Sequence, residues 1–322
     1  MKKALKKIVL VLIIAALAIS TTAAFAACNK DNAPAELRLA VPDGAPALAV
    51  ASFLNETKTV AGYKINAEIV AENLIATEMA AAKADIIILP TNAGANLILK
   101  DADYKLVTSN IMGLLYIIGP DDELEISDLK GKTLASIGQK NTPEYVLKTV
   151  LEHYGLEVVD DGSDGGAEAV TVKYLANGAA VKAALDADQA DYGLLGEPAA
   201  TAFSTLYPGR IDLQEEWKTA TGASNSYPQA SMFVKSSLLS NADFAQDLFS
   251  ELEKNLDFIE DNKASMTDIL KSEGSSTTFP PASIARCNIG VVWASDIFDE
   301  INDFLKLIIG KELPETAVYP LP

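Results

Sequence analysis

The amino-acid sequence predicts an α/β protein of two lobes, and three observations predict it. First, one stretch occurs twice: Ala84–Asn96 reads A-D-I-I-I-L-P-T-N-A-G-A-N, and 106 positions later Ala190–Ala202 reads A-D-Y-G-L-L-G-E-P-A-A-T-A. Each copy is an Ala-Asp pair, a four-residue apolar run, a Pro-bearing turn and a new Ala-rich segment. A short apolar run between helical patterns is the mark of a strand covered on both faces, as in parallel α/β layers. Second, β-prone runs alternate with helical patterns along the whole chain. Third, 322 residues at 49% hydrophobic and 22% charged are enough for two ordinary cores. In open parallel sheets ligands sit beyond the carboxyl ends of the strands, so the two Pro-bearing turns are the first candidates for opposing walls of a cleft.

Composition narrows the function. The formal charge is −18, and setting aside Lys2, Lys3, Lys6 and Lys7 takes it to −22. Such a surface repels nucleic acid and anionic lipid, which argues against DNA binding or a polybasic membrane role. His153 is the only histidine, which excludes histidine-based triads and multi-histidine metal sites. It follows helical residues and reads as a helix-end residue, stopped by Gly155. Cys287 is expected to be a buried structural thiol rather than a nucleophile, and no cofactor is expected.

In chain order, Met1–Lys7 is basic, Ile8–Ile19 apolar and Thr21–Ala27 small, the layout of a secretory signal peptide over residues 1–27. Phe25-Ala26-Ala27-Cys28 resembles a bacterial lipobox, so Cys28 is the expected lipidation site and membrane anchor, with residues 28–36 a polar tether. Plain secretion with Cys28 incidental is the alternative. No later run is long and apolar enough to span a bilayer. Leu37–Val41 is β-prone, Pro42–Pro46 a turn and Ala47–Asn55 a helix. Tyr63–Val70 is a strand, and Asn73–Lys83 a helix with Asn73 as its cap. The first copy of the repeat follows, then two strands, Tyr104–Asn110 and Leu114–Gly119.

After the acidic turn at Pro120 comes Ile126–Thr133, I-S-D-L-K-G-K-T, then Leu134–Gln139 and a helix from Thr142-Pro143-Glu144-Tyr145. This order resembles the solute-binding proteins of ABC importers with the type II periplasmic binding protein fold, in the nitrate, sulfonate, taurine and thiamine-precursor branch. The resemblance runs over Leu37–Leu307. It implies a two-strand hinge, lobe one at 37–116 plus 232–322, lobe two at 117–231, and crossings near Tyr116 and Ser231. It also implies a monomer that carries a small organic solute to an ABC permease from the outer face of the cell membrane. Val158–Glu168 is an acidic, Gly-rich loop without calcium-loop spacing. Val170–Leu175 is a strand, Asn177–Asp188 a helix, and the second copy of the repeat follows. Ile211–Leu213 is a short strand, Gln214–Tyr227 a variable stretch, and Gln229–Lys235 the strand that in the family returns to lobe one. Asn241–Asn262, Ala264–Lys271, Pro281–Asn288 and Ala294–Ile309 are helices, the last closed by Gly310.

Carried over by position, the resemblance implies ligand-binding residues Asp43, Gly44, Thr91, Asn92, Ala93 and Asn110 in lobe one. Lobe two contributes Gln139, Asn141, Thr142, Glu197 and Pro198, with Tyr116 and Tyr227 beside the hinge. Structural readings stand beside these: Asp43-Gly44 as a turn, Asn141-Thr142 as a helix cap, Pro198 as a first-turn proline. Glu197, just past an apolar strand, has to be paired, solvated or facing a ligand. None of the three arginines falls in a cleft turn, whereas Asp43 and Glu197, if they face the cleft, favour a neutral or amine-bearing ligand. A lyase or dehydratase of the same fold and a surface sensor are the competing functions. The first would need a general base and an activated nucleophile in the cleft.

Overall fold

The computed structural model describes residues 35–320. The expected signal peptide and Cys28 lie outside them. The strands begin with β1 (Glu36–Pro42), β2 (Lys58–Val60), β3 (Tyr63–Val70), β4 (Ile86–Pro90), β5 (Tyr104–Ile111) and β6 (Leu115–Gly119). They continue with β7 (Thr133–Ser136), β8 (Val158–Asp160), β9 (Val170–Tyr174), β10 (Tyr192–Gly196), β11 (Gly209–Asp212), β12 (Ala230–Lys235) and β13 (Ile289–Trp293). Between them run α1 (Ala45–Leu48), α2 (Ala51–Asn55), α3 (Ile75–Ala80), α4 (Thr91–Ile98), α5 (Thr142–His153) and α6 (Gly178–Asp186). The remaining helices are α7 (Ala199–Ala202), α8 (Leu213–Thr221), α9 (Ala242–Asp261), α10 (Met266–Ser272), α11 (Pro281–Arg286) and α12 (Phe298–Ile309).

Two sheets result, ordered β13-β5-β12-β4-β1-β3-β2 and β11-β6-β10-β7-β9-β8. Five consecutive strands of each have one plan: β3-β1-β4-β12-β5 matches β9-β7-β10-β6-β11. The duplicated apolar runs, β4 and β10, hold the same place. Each is parallel to its neighbour on one side, β1 or β7, and antiparallel to the strand on its other side, β12 or β6. Those antiparallel strands are exchanged. β6 enters the second sheet straight from β5 of the first, and β12 enters the first after β11 and α8 of the second. β4 and β10 are almost wholly buried, which is why they read as continuous apolar runs rather than as alternation. From Leu37 onward the described chain packs as one compact unit.

The crossings are Met112–Leu114 and Gly222–Gln229, the links between these strands. Tyr116 therefore lies in the second sheet and Ser231 in the first. Gly113 makes the first crossing possible. Its φ is +76°, a region side-chain-bearing residues avoid, and a Cβ there would stand 2.7 Å from Gln214 Cγ and 2.8 Å from Tyr227 Cζ.

Local chemistry explains most helix ends. Asn141, Asn177, Asp212 and Asn241 cap α5, α6, α8 and α9 with their side chains. Gly222 and Gly310 close α8 and α12 in the left-handed conformation. Other expectations are corrected. The helix foreseen at Ala47–Asn55 is broken into α1 and α2 around Ala49-Val50, and Leu74 rather than Asn73 precedes α3. Leu213, expected to end a strand, and residues 214–221, expected to be variable, form α8, which Asp212 caps by accepting from the amides of Gln214 and Glu215. The acidic loop begins with a strand, β8, parallel to β9. Helix α11 stops at Arg286, and β13 follows where no strand was foreseen; it is an edge strand with a register shift against β5. Among the described residues no helix is long and apolar enough to cross a membrane.

Candidate solute site between the two sheets

The turns after β4 and β7 meet. Asn92 Nδ2, at the start of α4, donates to Asn141 Oδ1, the cap of α5, at 3.2 Å. The same Asn141 oxygen accepts from the Thr142 amide at 2.9 Å, so the cap reading and the cross-sheet contact hold together. Asn92 Oδ1 is buried with no partner among the described residues. Gln139 and Asn141 are exposed, and Ala93 and Pro198 half-buried, along these turns. Gln139, Asn141, Asn92 and Ala93 are thus the sequence-predicted residues that lie at or beside the meeting turns.

The other candidates are engaged inside the fold. Thr91 is fully buried, its hydroxyl 2.7 Å from that of Ser231 on β12. Asn110, on β5, accepts from the Thr108 hydroxyl at 3.0 Å. Tyr227 is buried against Trp217 and Phe304, and its hydroxyl donates to Gln214 Oε1 at 2.6 Å. Tyr116 is buried, with the Arg210 guanidinium 5.1 Å from its ring centroid and its hydroxyl donating to the Arg286 carbonyl at 3.3 Å. Burial, then the charges of Asp212 and Glu197, push the Tyr116 phenol well above its ordinary value, so it is a neutral donor at physiological pH.

The two carboxylates expected to colour the cleft are both satisfied within the protein. Asp43 Oδ1 accepts from the Gly44 amide at 2.7 Å and the Ser275 hydroxyl at 2.5 Å, and Oδ2 from the Ser276 amide at 2.8 Å and hydroxyl at 2.6 Å. It clasps the loop between α10 and α11 onto the end of β1, while Gly44 turns at φ +94° into α1. Burial alone would raise the Asp43 pKa; the donors of Ser275, Ser276 and Gly44 outweigh it and hold the carboxyl below its usual range. A depressed native pKa stabilises the fold above the unfolded value and loses that stabilisation as pH falls through the native value. The stability gap between the wild type and Asp43→Asn is therefore expected to be flat from about pH 5 to 8 and to narrow below about pH 4. Urea melts of the two proteins across that range check it; a gap that widens on acidification would contradict it.

Glu197 is paired more deeply. Its side chain is fully buried, accepting from Arg210 Nη1 at 2.7 Å and, at Thr201, from the hydroxyl at 2.7 Å and the amide at 3.0 Å. The carboxylate is paired inside its own half of the molecule, so the sign of the cleft cannot be inferred from it. Sequence reasoning also passed over Arg286, whose Nη1 reaches across from α11 to Thr201 Oγ1 on α7 at 3.3 Å. No pattern in the sequence links residues 85 apart on separate sheets. Cys287, next to it, is buried, and its thiol is pushed up first by burial and then by Glu197, which leaves it unreactive. Two of the larger surface depressions, about 650 Å³ beside Lys130 and Tyr154 and about 760 Å³ beside Lys182 and Asp186, lie on the second sheet's own flanks and touch none of the turns after β4, β7 and β10.

With this geometry in place, comparison with known proteins identifies the architecture. No family model matches the chain, and no curated protein matches it. Solved structures do. An ABC transporter protein from Parabacteroides distasonis is 20% identical with a TM-score of 0.70, over 89% of this chain and 96% of that one. The periplasmic aliphatic sulphonate binding protein of Escherichia coli is 12% identical with a TM-score of 0.63, over 90% and 93%. The alkanesulfonate-binding protein of Xanthomonas axonopodis, bound to MOPS, is 18% identical with a TM-score of 0.54, over 89% and 96%. The fold is that of the two-lobe periplasmic binding proteins.

Proposed function

We propose that the protein is an extracytoplasmic solute receptor that captures a small organic molecule between two lobes and delivers it to the permease of an ABC importer. The observation that carries this reading is the exchanged pair of antiparallel strands. Two sheets of one plan are joined through two crossings, and the turns at their strand ends face one another at Asn92 and Asn141. Such crossings can absorb a rigid rotation that opens and closes the gap. In this reading the lobes divide at residues 112–114 and 222–229. The solved structures of similar fold, named as an ABC transporter and as sulphonate-binding proteins, support the same reading. The chain is held at the outer face of the membrane through lipidated Cys28 and works as a monomer.

A thermal-shift screen of small metabolites tests the proposal, with native mass spectrometry of the protein purified from its own cells to supply the candidate. A solute at a hundredfold excess over its Kd adds about 2.7 kcal/mol of stability, which in a protein of this size raises Tm by roughly 5 °C or more. The absence of any co-purified or stabilising small molecule would argue against a receptor.

A further inference from the structure

Where the turns after β4 and β7 meet, one oxygen is left without a donor. Asn141 Oδ1 is committed as an acceptor by the Thr142 amide at 2.9 Å, so Asn92 has to offer it Nδ2, at 3.2 Å. That orientation leaves Asn92 Oδ1 buried and unpartnered among the described residues. Two more unpartnered oxygens border the same turn. One is Gln229 Oε1, in the residue whose carbonyl accepts from the Thr91 amide at 3.3 Å. The other is Ser109 Oγ, wholly buried on β5 opposite Ser231, whose hydroxyl lies 2.7 Å from that of Thr91.

Buried polar atoms are nearly always paired, and three orphans around one turn point to a donor from outside the chain. The turn also has donors of its own to give. Helix α4 starts after Pro90, and no side chain caps the amides of its first turn, the positive end of the helix. A partner for this turn therefore has to donate and accept along one edge. A carboxylate or sulfonate accepts from the amides but sets a charged oxygen against Asn92 Oδ1. An ammonium donates to Oδ1 but offers the amides nothing and faces the positive helix end. A neutral amide edge, N–H beside C=O, does both.

On the reading of the protein as a solute receptor, we propose that the solute carries a neutral amide edge, as in a lactam or a primary carboxamide. Its N–H donates to Asn92 Oδ1, and its carbonyl accepts from the first-turn amides of α4. Asn92 Nδ2 keeps its contact with Asn141, so the free oxygen of Asn92 is what selects the solute. This separates it from the sulphonates for which proteins of similar fold are named.

The probes are 2-pyrrolidinone, which has N–H and C=O on one edge, its N-methyl derivative, which lacks the N–H, sodium methanesulfonate and acetamidinium chloride. Each is titrated at matched ionic strength against the wild type, N92A, N92D and N141S, and the saturable rise in Tm over each protein's own baseline gives the affinity. The wild type should bind 2-pyrrolidinone about tenfold or more tightly than the N-methyl derivative, the range for an acceptor left unpaired in a buried site. N92A should lose that preference, and N92D should turn it towards acetamidinium, whose N–H groups suit a carboxylate. N141S keeps a capping side chain but is too short to meet Asn92; it should keep the preference, which a purely structural role for the Asn92–Asn141 contact does not predict. An unchanged preference in N92A or N92D, its loss in N141S, a wild type that favours methanesulfonate, or no saturable response to 2-pyrrolidinone would overturn the proposal. If another metabolite still stabilises the protein, the receptor reading stands without it; if none does, that reading falls too.

Discussion

Replacing Glu197 by alanine should cost about 3–5 kcal/mol of stability, because it leaves the Arg210 charge partly buried without its partner. Glu197 is wholly inside and Arg210 keeps only 16% of its side chain exposed, so water screens little of this pair. The same change removes the acceptor for both the amide and the hydroxyl of Thr201. In urea the midpoint should fall with the slope unchanged. The double variant E197A/R210A should lose less than the sum of the single losses, as coupled partners do. If E197A kept its stability and changed only solute affinity, the carboxylate would face the solute and the assignment of Glu197 to the interior would be wrong.

Gly113→Ala should be nearly as harmful for a different reason. Placing a Cβ-bearing residue at φ +76° costs about 1–3 kcal/mol, and the new methyl would meet Gln214 and Tyr227 well inside contact distance. Overpacking of this kind adds about 1–3 kcal/mol. Tyr227 cannot retreat easily, since its ring packs between Trp217 and Phe304 and its hydroxyl is tied to Gln214. The crossing itself should be strained, so solute affinity should change along with stability. Calorimetric titration and denaturation of the same preparation would show both; an unaffected Gly113→Ala would mean that the crossing is looser than its packing indicates.

These two positions also show what a sequence makes legible. The repeat at Ala84 and Ala190 was readable because a doubly covered strand must be continuously apolar and must end in a turn, whatever surrounds it. Its two copies proved to hold the same place in two sheets of one plan. The caps at Asn141 and Asp212 act within three residues, and local rules find such contacts. Ion pairs and clasps do not announce themselves in that way. Glu197 is neutralised from Arg210, thirteen positions on and in a different strand, and Asp43 is held by Ser275 and Ser276 from more than 230 positions away. A carboxylate at a strand end is equally consistent with a ligand or a partner until the partner's position is known. The strand Ile289–Trp293 was obscured differently. Five residues between two helical patterns carry little periodicity, and its irregular register against β5 breaks the alternation that would mark it.

On the receptor reading proposed above, two lobes joined by the crossings at 112–114 and 222–229 close on a solute, with Asn92 and Asn141 meeting as they do so. Small-angle X-ray scattering of the protein, stripped of solute by unfolding and refolding and then titrated with the molecule found by native mass spectrometry, tests this most directly. The stripped protein should have the larger radius of gyration and should contract saturably, with a midpoint that matches the calorimetric Kd. Binding seen by calorimetry with no change in scattering would contradict it.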